Sequence, residues 1–457
     1  MTVDRGKMDR IIRITLSISC LLLCVVWFGC RFGSEYTRNL TIEELSYSLM
    51  YNEILTKLNG TQWEREADPK TIMTYIDALV ETKRPLPREM VSPPTPHHVS
   101  KFIHGYYSFR QGKLRESLRI FSELARDKEH HIWGDLGILE FSLGTGSISN
   151  MKNPLESLDE EARKTPAVLR IWDLPFYKAW YCFFSGHYDE ADRILTDYKD
   201  SIDPVRLSEL KVTMLLRLDR FNEAEEIIKS MPPGYQVTAE LESALVRLKY
   251  GSKKWLEFLR EKRKKYPQFW IIESKYADAL VDAGQIDSAS EAYKKLAHAR
   301  PFDVFIQLAF VSHQLYHGNF EEAKDKLIHL DYPPEVSYYD VLLAKMFSKQ
   351  NLDMKAWEHL RLAKKQFPRS PYALSGIMGL ALKERNYDEM YSALKESLEI
   401  DPNDIATLLA AMFVHCLRKE YDEAWQVEKR INGSKRYFDQ EMRERIGSLK
   451  ANCDPRP

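Results

Sequence analysis

The phrase Tyr188-Asp189-Glu190-Ala191 decides the fold, because it returns through the body of this 457-residue chain. Counted from Ala191, its last position recurs seven times at intervals of about 34 residues. A fixed period of this length indicates tandem structural units rather than separate globular domains. Close matches end at Ala224, Ala289, Ala323 and Ala424, and weaker ones at Leu256, Ala356 and Met390.

The ladder continues upstream to Ser117. Nine intervals of about 34 residues separate Ser117 from Ala424 and predict ten units over residues 98–433. The second unit must hold a longer loop, because Ser117 and Ala191 are separated by more than two periods. We expect its first helix at 132–143, its loop at 144–152 and its second helix from Asn153, with Pro154 in the first turn.

The period and the phrase resemble the tetratricopeptide repeat (TPR) family, a helix-turn-helix unit of about 34 residues. The resemblance covers residues 98–433 and implies an all-α fold, a right-handed superhelical solenoid with a concave groove that binds a peptide or protein partner. Its turn glycine is matched by Gly112, Gly186, Gly251, Gly284 and Gly318, and its closing proline by Pro267, Pro301, Pro368 and Pro402. Leu256 and Met390 depart from the small residue of the family pattern.

The first thirty residues follow the pattern of an export signal. Basic residues precede a charge-free run from Ile14 to Cys30, and Gly29-Cys30 resembles the lipobox of bacterial lipoproteins. Residues 1–30 are therefore expected to be a signal peptide, a lipoprotein signal with lipidation at Cys30, or an uncleaved signal-anchor. Each of these three kinds of segment exports the chain or attaches it to a membrane through the N-terminus. The rest of the chain is therefore expected to be translocated, into a bacterial periplasm or cell envelope.

Two segments flank the array. Residues 31–97 are expected to form an N-terminal helical cap, with helices over 40–58 and 69–82, and a proline-rich extended connector over 84–98. Residues 434–457 are expected to form a C-terminal capping helix over 437–449 and a loose tail. Beyond the N-terminal run the cysteines are Cys182, Cys416 and Cys453, an odd and widely spaced trio that predicts no disulfide framework. Cys182 and Cys416 are expected to be small buried side chains.

Aromatic residues concentrate at the groove-facing positions five, nine and twelve of two early first helices. These candidates for a partner-binding groove are Phe102, Tyr106 and Phe109 in the first unit, and Phe176, Trp180 and Phe183 in the third. Rigid rings supply contact area at small entropic cost, which favours an apolar peptide partner. Two alternatives stay open: the rings are core residues, or the chain's own helices within 40–82 fill this part of the groove. In the sixth unit the same positions are polar or aliphatic: Ser274, Asp278 and Val281.

Catalytic and cofactor motifs are missing from the sequence, so we expect no enzyme activity, cofactor or metal. His313 and His317 have the i, i+4 spacing of metal ligands but no evident third ligand. The 66 basic and 67 acidic residues give no clustered basic excess, so no nucleic-acid partner is expected. The sequence thus predicts a membrane-tethered scaffold for protein–protein interaction. The alternatives are an envelope assembly chaperone and a cell-wall enzyme built on a helical superhelix.

Overall fold

Helices alone build the part of the chain that the structure describes. The structure, a computed structural model, describes residues 40–58, 68–92, 95–165, 173–317, 319–330, 332–333, 335–437 and 440–453. Within these ranges there are 23 α-helices, two 3₁₀ turns and no strand. The fold class expected from the period, an all-α superhelical solenoid of TPR type, is confirmed.

Three helices precede the array: α1 (Ile42–Tyr47), α2 (Tyr51–Lys57) and α3 (Pro69–Glu81). The helix expected over 40–58 is divided in two, because Leu49 between α1 and α2 has a positive φ of 55° that no α-helix accommodates. The connector over 84–98 is not extended throughout, since Arg88–Met90 form a 3₁₀ turn that buries Met90.

Antiparallel helix pairs follow one another from His97 to Gly433, ten of them in the described ranges. In units 1 to 5 the helices are α4 (His97–Arg110), α5 (Leu114–Leu124), α6 (His131–Thr145), α7 (Lys152–Lys164), α8 (Leu174–Phe184), α9 (Tyr188–Asp197), α10 (Pro204–Arg217), α11 (Phe221–Ser230) and α12 (Gln236–Lys265), which contains both helices of unit 5 on either side of a kink at Gly251. In units 6 to 10 they are α13 (Trp270–Asp282), α14 (Ile286–Ala299), α15 (Val304–His317), α16 (Phe320–His329), α17 (Ser337–Lys349), α18 (Asp353–Gln366), α19 (Pro371–Lys383), α20 (Tyr387–Ile400), α21 (Ile405–Leu417) and α22 (Tyr421–Gly433).

The recurring small residue marks the place where two helices of a unit meet. Ala191, Ala224 and Ala289 have no exposed surface, and at the weaker matches Leu256 and Met390 are also buried. Helices approach closely only where a small side chain leaves room for the facing backbone. The period of the sequence is therefore the period of the core.

The turn between the two helices of a unit requires a left-handed residue. Gly112, Gly186 and Gly284 supply it, with φ between 72° and 80°. Where the sequence has no glycine, other residues adopt the same conformation with φ between 55° and 63°: Asp219, Asn351, Arg385 and Lys419. The turn geometry is thus kept in units that lack the family's glycine, and these side chains tolerate a conformation that costs a non-glycine residue about 1 kcal/mol.

Units about six positions apart touch, so successive turns of the superhelix are in contact. Arg115 Nη2 donates to the carbonyl of Tyr332 at 3.1 Å, and Ser149 Oγ lies 3.2 Å from Gln366 Oε1, each pair being 217 residues apart. Tyr188 donates its hydroxyl to the carbonyl of Ile400 at 2.5 Å. Each of these separations corresponds to about six units, which is therefore the length of one superhelical turn.

The three N-terminal helices lie against the inner side of this turn. Tyr47 in α1 donates to Asp203 Oδ1 at 2.7 Å, and Arg300 Nη1 donates to Glu81 Oε2 of α3 at 2.7 Å. Leu45 and Ile54 are fully buried in the core that also contains units 1 to 3. These contacts reach units 1 to 4 and unit 6, so the N-terminal helices fill interior space that would otherwise be open.

The C-terminal segment bridges two turns and corrects the expectation for the cysteines. Arg436 donates to Asp219 at 2.7 Å and to both oxygens of Asp401 at 2.9 and 3.0 Å. Helix α23 spans Gln440–Cys453 rather than 437–449, and Cys416 and Cys453 form a disulfide across 37 residues. The prediction of no disulfide was wrong because Cys453 ends a capping helix that folds back on the last unit. Cys182 is free and buried, as predicted.

The expected signal or anchor at 1–30, including Cys30, lies outside the described residues. Among the helices that the structure describes, none combines the length and the apolar character needed to cross a membrane.

Breaking the bridge at Arg436 should destabilise the fold far more than breaking a surface pair. Arg436→Ala leaves the buried carboxylate of Asp219 without its cation, which should cost about 3 kcal/mol of unfolding free energy. The matched control Arg418→Ala removes a partly exposed arginine that pairs with Asp388 and Glu420, and should cost less than about 1 kcal/mol. Urea titrations followed by circular dichroism compare the two, and equal losses would refute the bridging role.

Candidate functional site

The aromatic residues predicted in the first unit are buried. Phe102 has no exposed surface and packs against Phe121 and Trp133, with ring centroids 5.9 and 5.3 Å apart. Tyr106 donates its hydroxyl to Asp77 of α3 at 3.3 Å, and Phe109 packs on Phe141. Tyr106 and Phe109 reach only the edge of the interior space, because α3 covers this face of the unit.

The aromatic residues predicted in the third unit form one cluster, of which only Trp180 is partly exposed. The guanidinium of Arg206 stacks on Phe176 at 4.8 Å, and that of Arg217 stacks on Phe183 at 4.5 Å. Trp180 lies on Phe184 with a centroid distance of 4.9 Å and lines a cavity of 360 Å³. The rings of the third unit therefore lie together, but five of the six candidate rings are buried, so their role in a partner-binding groove stays a prediction.

An inner cleft lies between α3 with units 1 to 3 on one side and units 5 to 9 on the other. It consists of two joined cavities of 630 and 680 Å³, and both are lined by Leu143, Trp270 and Phe305. The first helices α13, α15, α17 and α19 provide one wall, and residues at the ends of α6, α8 and α18 close the other. The cleft exists because one superhelical turn brings the last units opposite the early ones.

A ladder of side chains at the second position of successive first helices lines this cleft. Two rings of the ladder, Phe305 and Tyr372, are 51% and 59% exposed, unusually high fractions for rings inside a fold. Tyr316, near the end of α15, does not belong to the ladder but is similarly exposed, at 55%. The four ladder residues follow the period of the array, one in each of units 6 to 9: Ile271, Phe305, Tyr338 and Tyr372.

Sequence reasoning missed the ladder because it followed positions five, nine and twelve. The ladder lies three residues before position five, on the same face one helical turn earlier. The sequence did contain a signal for the ladder, because its four residues recur with the period of the array. The prediction for positions five, nine and twelve of unit 6 agrees with the structure, where Ser274, Asp278 and Val281 line the cleft.

The charged groups of the cleft are mostly paired within it. Arg247 donates to Asp282 at 2.9 Å, and the Lys275 ammonium lies 3.8 Å from Glu240. Tyr293 donates its hydroxyl to Asp278, and burial raises the pKa of this carboxyl above its usual range. These groups give the cleft polar contacts between its rings.

The adjoining cavity beside Trp180 contains two neighbouring carboxyl groups, Glu209 and Glu240. Burial and then the charge of Glu240 raise the pKa of Glu209 to about 7, against the opposing effect of Arg206. Glu209 therefore changes its charge near neutral pH. Asp203 contributes in the same direction as Glu240.

The histidine pair does not form a metal site within the described residues. His313 and His317 have ring centroids 5.4 Å apart, and His313 Nε2 shares a hydrogen bond of 2.7 Å with Ser290 Oγ. Burial and then His317 lower the pKa of His313 below its usual range. Nowhere in the described ranges do three or more histidine, cysteine or carboxylate side chains converge as metal ligands would.

Comparison with known proteins finds similarity in helical architecture alone. No protein-family model matches the sequence, and neither does any curated protein sequence. Similar solved structures include the APC/C hetero-tetramer Cut9–Hcn1 (14% identity over 89% of this chain and 88% of that one, TM-score 0.43). Yeast Tom70 matches at 12% identity over 92% and 96%, with a TM-score of 0.38. A monomeric IFIT1 mutant with m7Gppp-AAAA matches at 14% identity over 84% and 99%, with a TM-score of 0.33.

Two substitutions in the third unit separate a core ring from a ring that faces the cavity. Phe183→Ala removes a ring with 1% exposure and should cost about 3 to 5 kcal/mol of stability. Trp180→Ala removes a ring that partly faces the cavity, and it should cost clearly less, about 1 to 2 kcal/mol. Thermal melts of the two variants decide the matter. A melting shift for Trp180→Ala as large as that for Phe183→Ala would exclude this tryptophan as a free contact surface.

Proposed function

We propose that the chain is a membrane-tethered scaffold whose inner cleft binds an extended segment of a partner protein. The observation that carries this proposal is the ladder Ile271, Phe305, Tyr338 and Tyr372. Solenoids of stacked helix pairs use their concave surfaces for binding. Here the concave surface keeps large rings exposed, and those rings follow the direction of the array.

The dimensions of the ladder suit an extended peptide. Neighbouring helices pack about 8 to 10 Å apart, so four ladder positions cover roughly 30 Å. An extended chain advances about 3.3 Å per residue, so about eight to ten residues reach across the ladder. Exposed tyrosine rings contribute strongly to peptide affinity, since they are rigid and carry a hydroxyl that hydrogen-bonds.

Two observations support a translocated, membrane-attached body. The charge-free run before Arg31 has the pattern of a signal or anchor, and its Gly29-Cys30 pair suits lipidation at Cys30. The disulfide between Cys416 and Cys453 belongs to an oxidising compartment, since such bonds are rare in the reducing cytosol. We therefore propose the outer side of a membrane, such as a bacterial periplasm or cell envelope, as the place of action.

Peptide selection tests the binding site directly. Random ten-residue peptides displayed on phage should yield binders to the immobilised full-length chain. Tyr372→Ala should weaken the best binder by about thirtyfold, the effect of losing about 2 kcal/mol. Tyr198→Ala is the matched control, because Tyr198 is 40% exposed and lies outside the cleft. This variant should bind the peptide with unchanged affinity. Equal affinities of the two variants would refute the cleft as the binding site.

Fractionation tests the tether. The full-length chain should sediment with membranes, and a chain lacking residues 1–30 should stay in the supernatant with its helical circular dichroism preserved. Mass analysis of the mature protein distinguishes the forms: a chain that starts at a lipidated Cys30 is a lipoprotein, and one that keeps Met1–Gly29 is anchored by its signal. A full-length chain found free in the cytosol would contradict both.

A further inference from the structure

Three carboxylates line the 680 Å³ cavity of the inner cleft, and within the described residues Asp278 is the one that forms no ion pair. The other two are paired, Asp282 with Arg247 at 2.9 Å and Glu240 with Lys275 at 3.8 Å. The hydroxyl of Tyr293 donates to Asp278 Oδ1, which leaves Oδ2 without a hydrogen-bond donor in the described part of the chain. Oδ2 is not enclosed, since it is absent from the buried polar atoms that lack a partner.

Besides Tyr293, three tyrosine rings line the same cavity as this carboxylate: Tyr316, Tyr338 and Tyr372. Tyr338 and Tyr372 have centroids 4.7 Å apart, and Tyr372 and Tyr316 are more than half exposed. Burial raises the pKa of Tyr338 well above its usual range, so its phenol is neutral. The faces of these neutral rings and the carboxylate of Asp278 therefore line one cavity.

This combination suits a cation. The faces of aromatic rings attract ammonium and guanidinium groups within about 6 Å of their centroids. A partly buried carboxylate without a counter-ion is held at an energetic cost, and a cation that approaches it removes that cost. A guanidinium satisfies both neighbours, because it stacks on a ring and donates to a carboxylate.

We propose that Asp278, with Tyr338 and Tyr372, receives a basic side chain of the peptide segment that lies along the ladder. This inference rests on the proposed function and names the chemistry of its partner: an extended segment with apolar residues for the ladder and an arginine or lysine for Asp278.

Three cations oppose a basic occupant. Arg247 and Lys275 line the cavity, where they are paired with Asp282 and Glu240 and also lower the pKa of Asp278. Lys345 lies beside the cavity, with its ammonium 4.4 Å above the ring of Tyr316. An acidic peptide would need Lys345, whereas a basic peptide needs Asp278.

The experiment uses the full-length chain in detergent and a fluorescein-labelled probe, the octapeptide Gly-Pro-Leu-Arg-Leu-Pro-Gly-Gly. Two further probes carry citrulline or glutamate in place of arginine. Citrulline keeps the shape of arginine and lacks its charge. Fluorescence anisotropy should show the arginine probe binding at least about tenfold more tightly than the citrulline probe, with the glutamate probe weakest.

Three variants locate the effect. Asp278→Asn should remove the preference for arginine over citrulline, while the matched control Asp325→Asn, an exposed carboxylate on α16, should keep it. Lys345→Met should leave arginine binding unchanged or tighten it. Circular dichroism melts of each variant identify any loss of fold.

Each contrary result has a distinct meaning. Equal binding of the arginine and citrulline probes, or an unchanged preference in Asp278→Asn, overturns the basic-residue assignment. If Tyr372→Ala still weakens every probe in that case, the ladder remains the peptide site and only this inference falls. A loss of arginine binding in Lys345→Met, or tighter binding of the glutamate probe, assigns an acidic partner and also overturns it. Failure of all three probes to bind overturns it as well, and peptide selection then tests the ladder independently.

Discussion

The shape of the interior depends on contact between units that lie about six positions apart. In most solenoids each unit touches only its neighbours, and the groove stays open along its length. Here the hydrogen bonds from Arg115 to the carbonyl of Tyr332 and from Tyr188 to the carbonyl of Ile400 hold one superhelical turn against the next. Because the turns touch, the groove becomes an enclosed cleft of limited length, and its walls come from distant parts of the sequence.

Enclosure has opposite effects at the two ends of the array. At the N-terminal end the space is narrow enough for α1 to α3 to fill it, and the rings of unit 1 become core contacts of α3, as the hydrogen bond from Tyr106 to Asp77 illustrates. Farther along, no helix of the described chain covers Phe305, Tyr316 or Tyr372. Two alternatives to partner binding by the early rings were open. The packing of unit 1 agrees with one of them, in which the chain's own N-terminal helices fill the groove.

The period alone was enough to predict the fold, since each unit needs a small residue at the helix contact and a left-handed residue at the turn. These needs are local and leave a trace in every repeat, as Ala191 and Gly186 show. The superhelical pitch leaves no such trace, because it sums small rotations over many units. Contacts that depend on the pitch, such as Arg436 with Asp219, were therefore not predictable. The pairing of Cys416 with Cys453 was missed for another reason, since it depends on how the capping helix folds back on the last unit. The ladder had a readable period, but the positions chosen for the groove were one helical turn away from it.

The composition of the ladder indicates that the fold does not require its rings. If the fold required a ring at the second position of the first helix, every unit would have one there. Unit 6 has Ile271 at this position and unit 10 has Ala406, and both form their helix pairs. A large exposed apolar ring gains little for folding, because it stays in water in the folded state. Phe305 and Tyr372 therefore contribute little to the stability of the solenoid, and a surface that pairs such rings with the carboxylate of Asp278 has the features of a site that a partner completes.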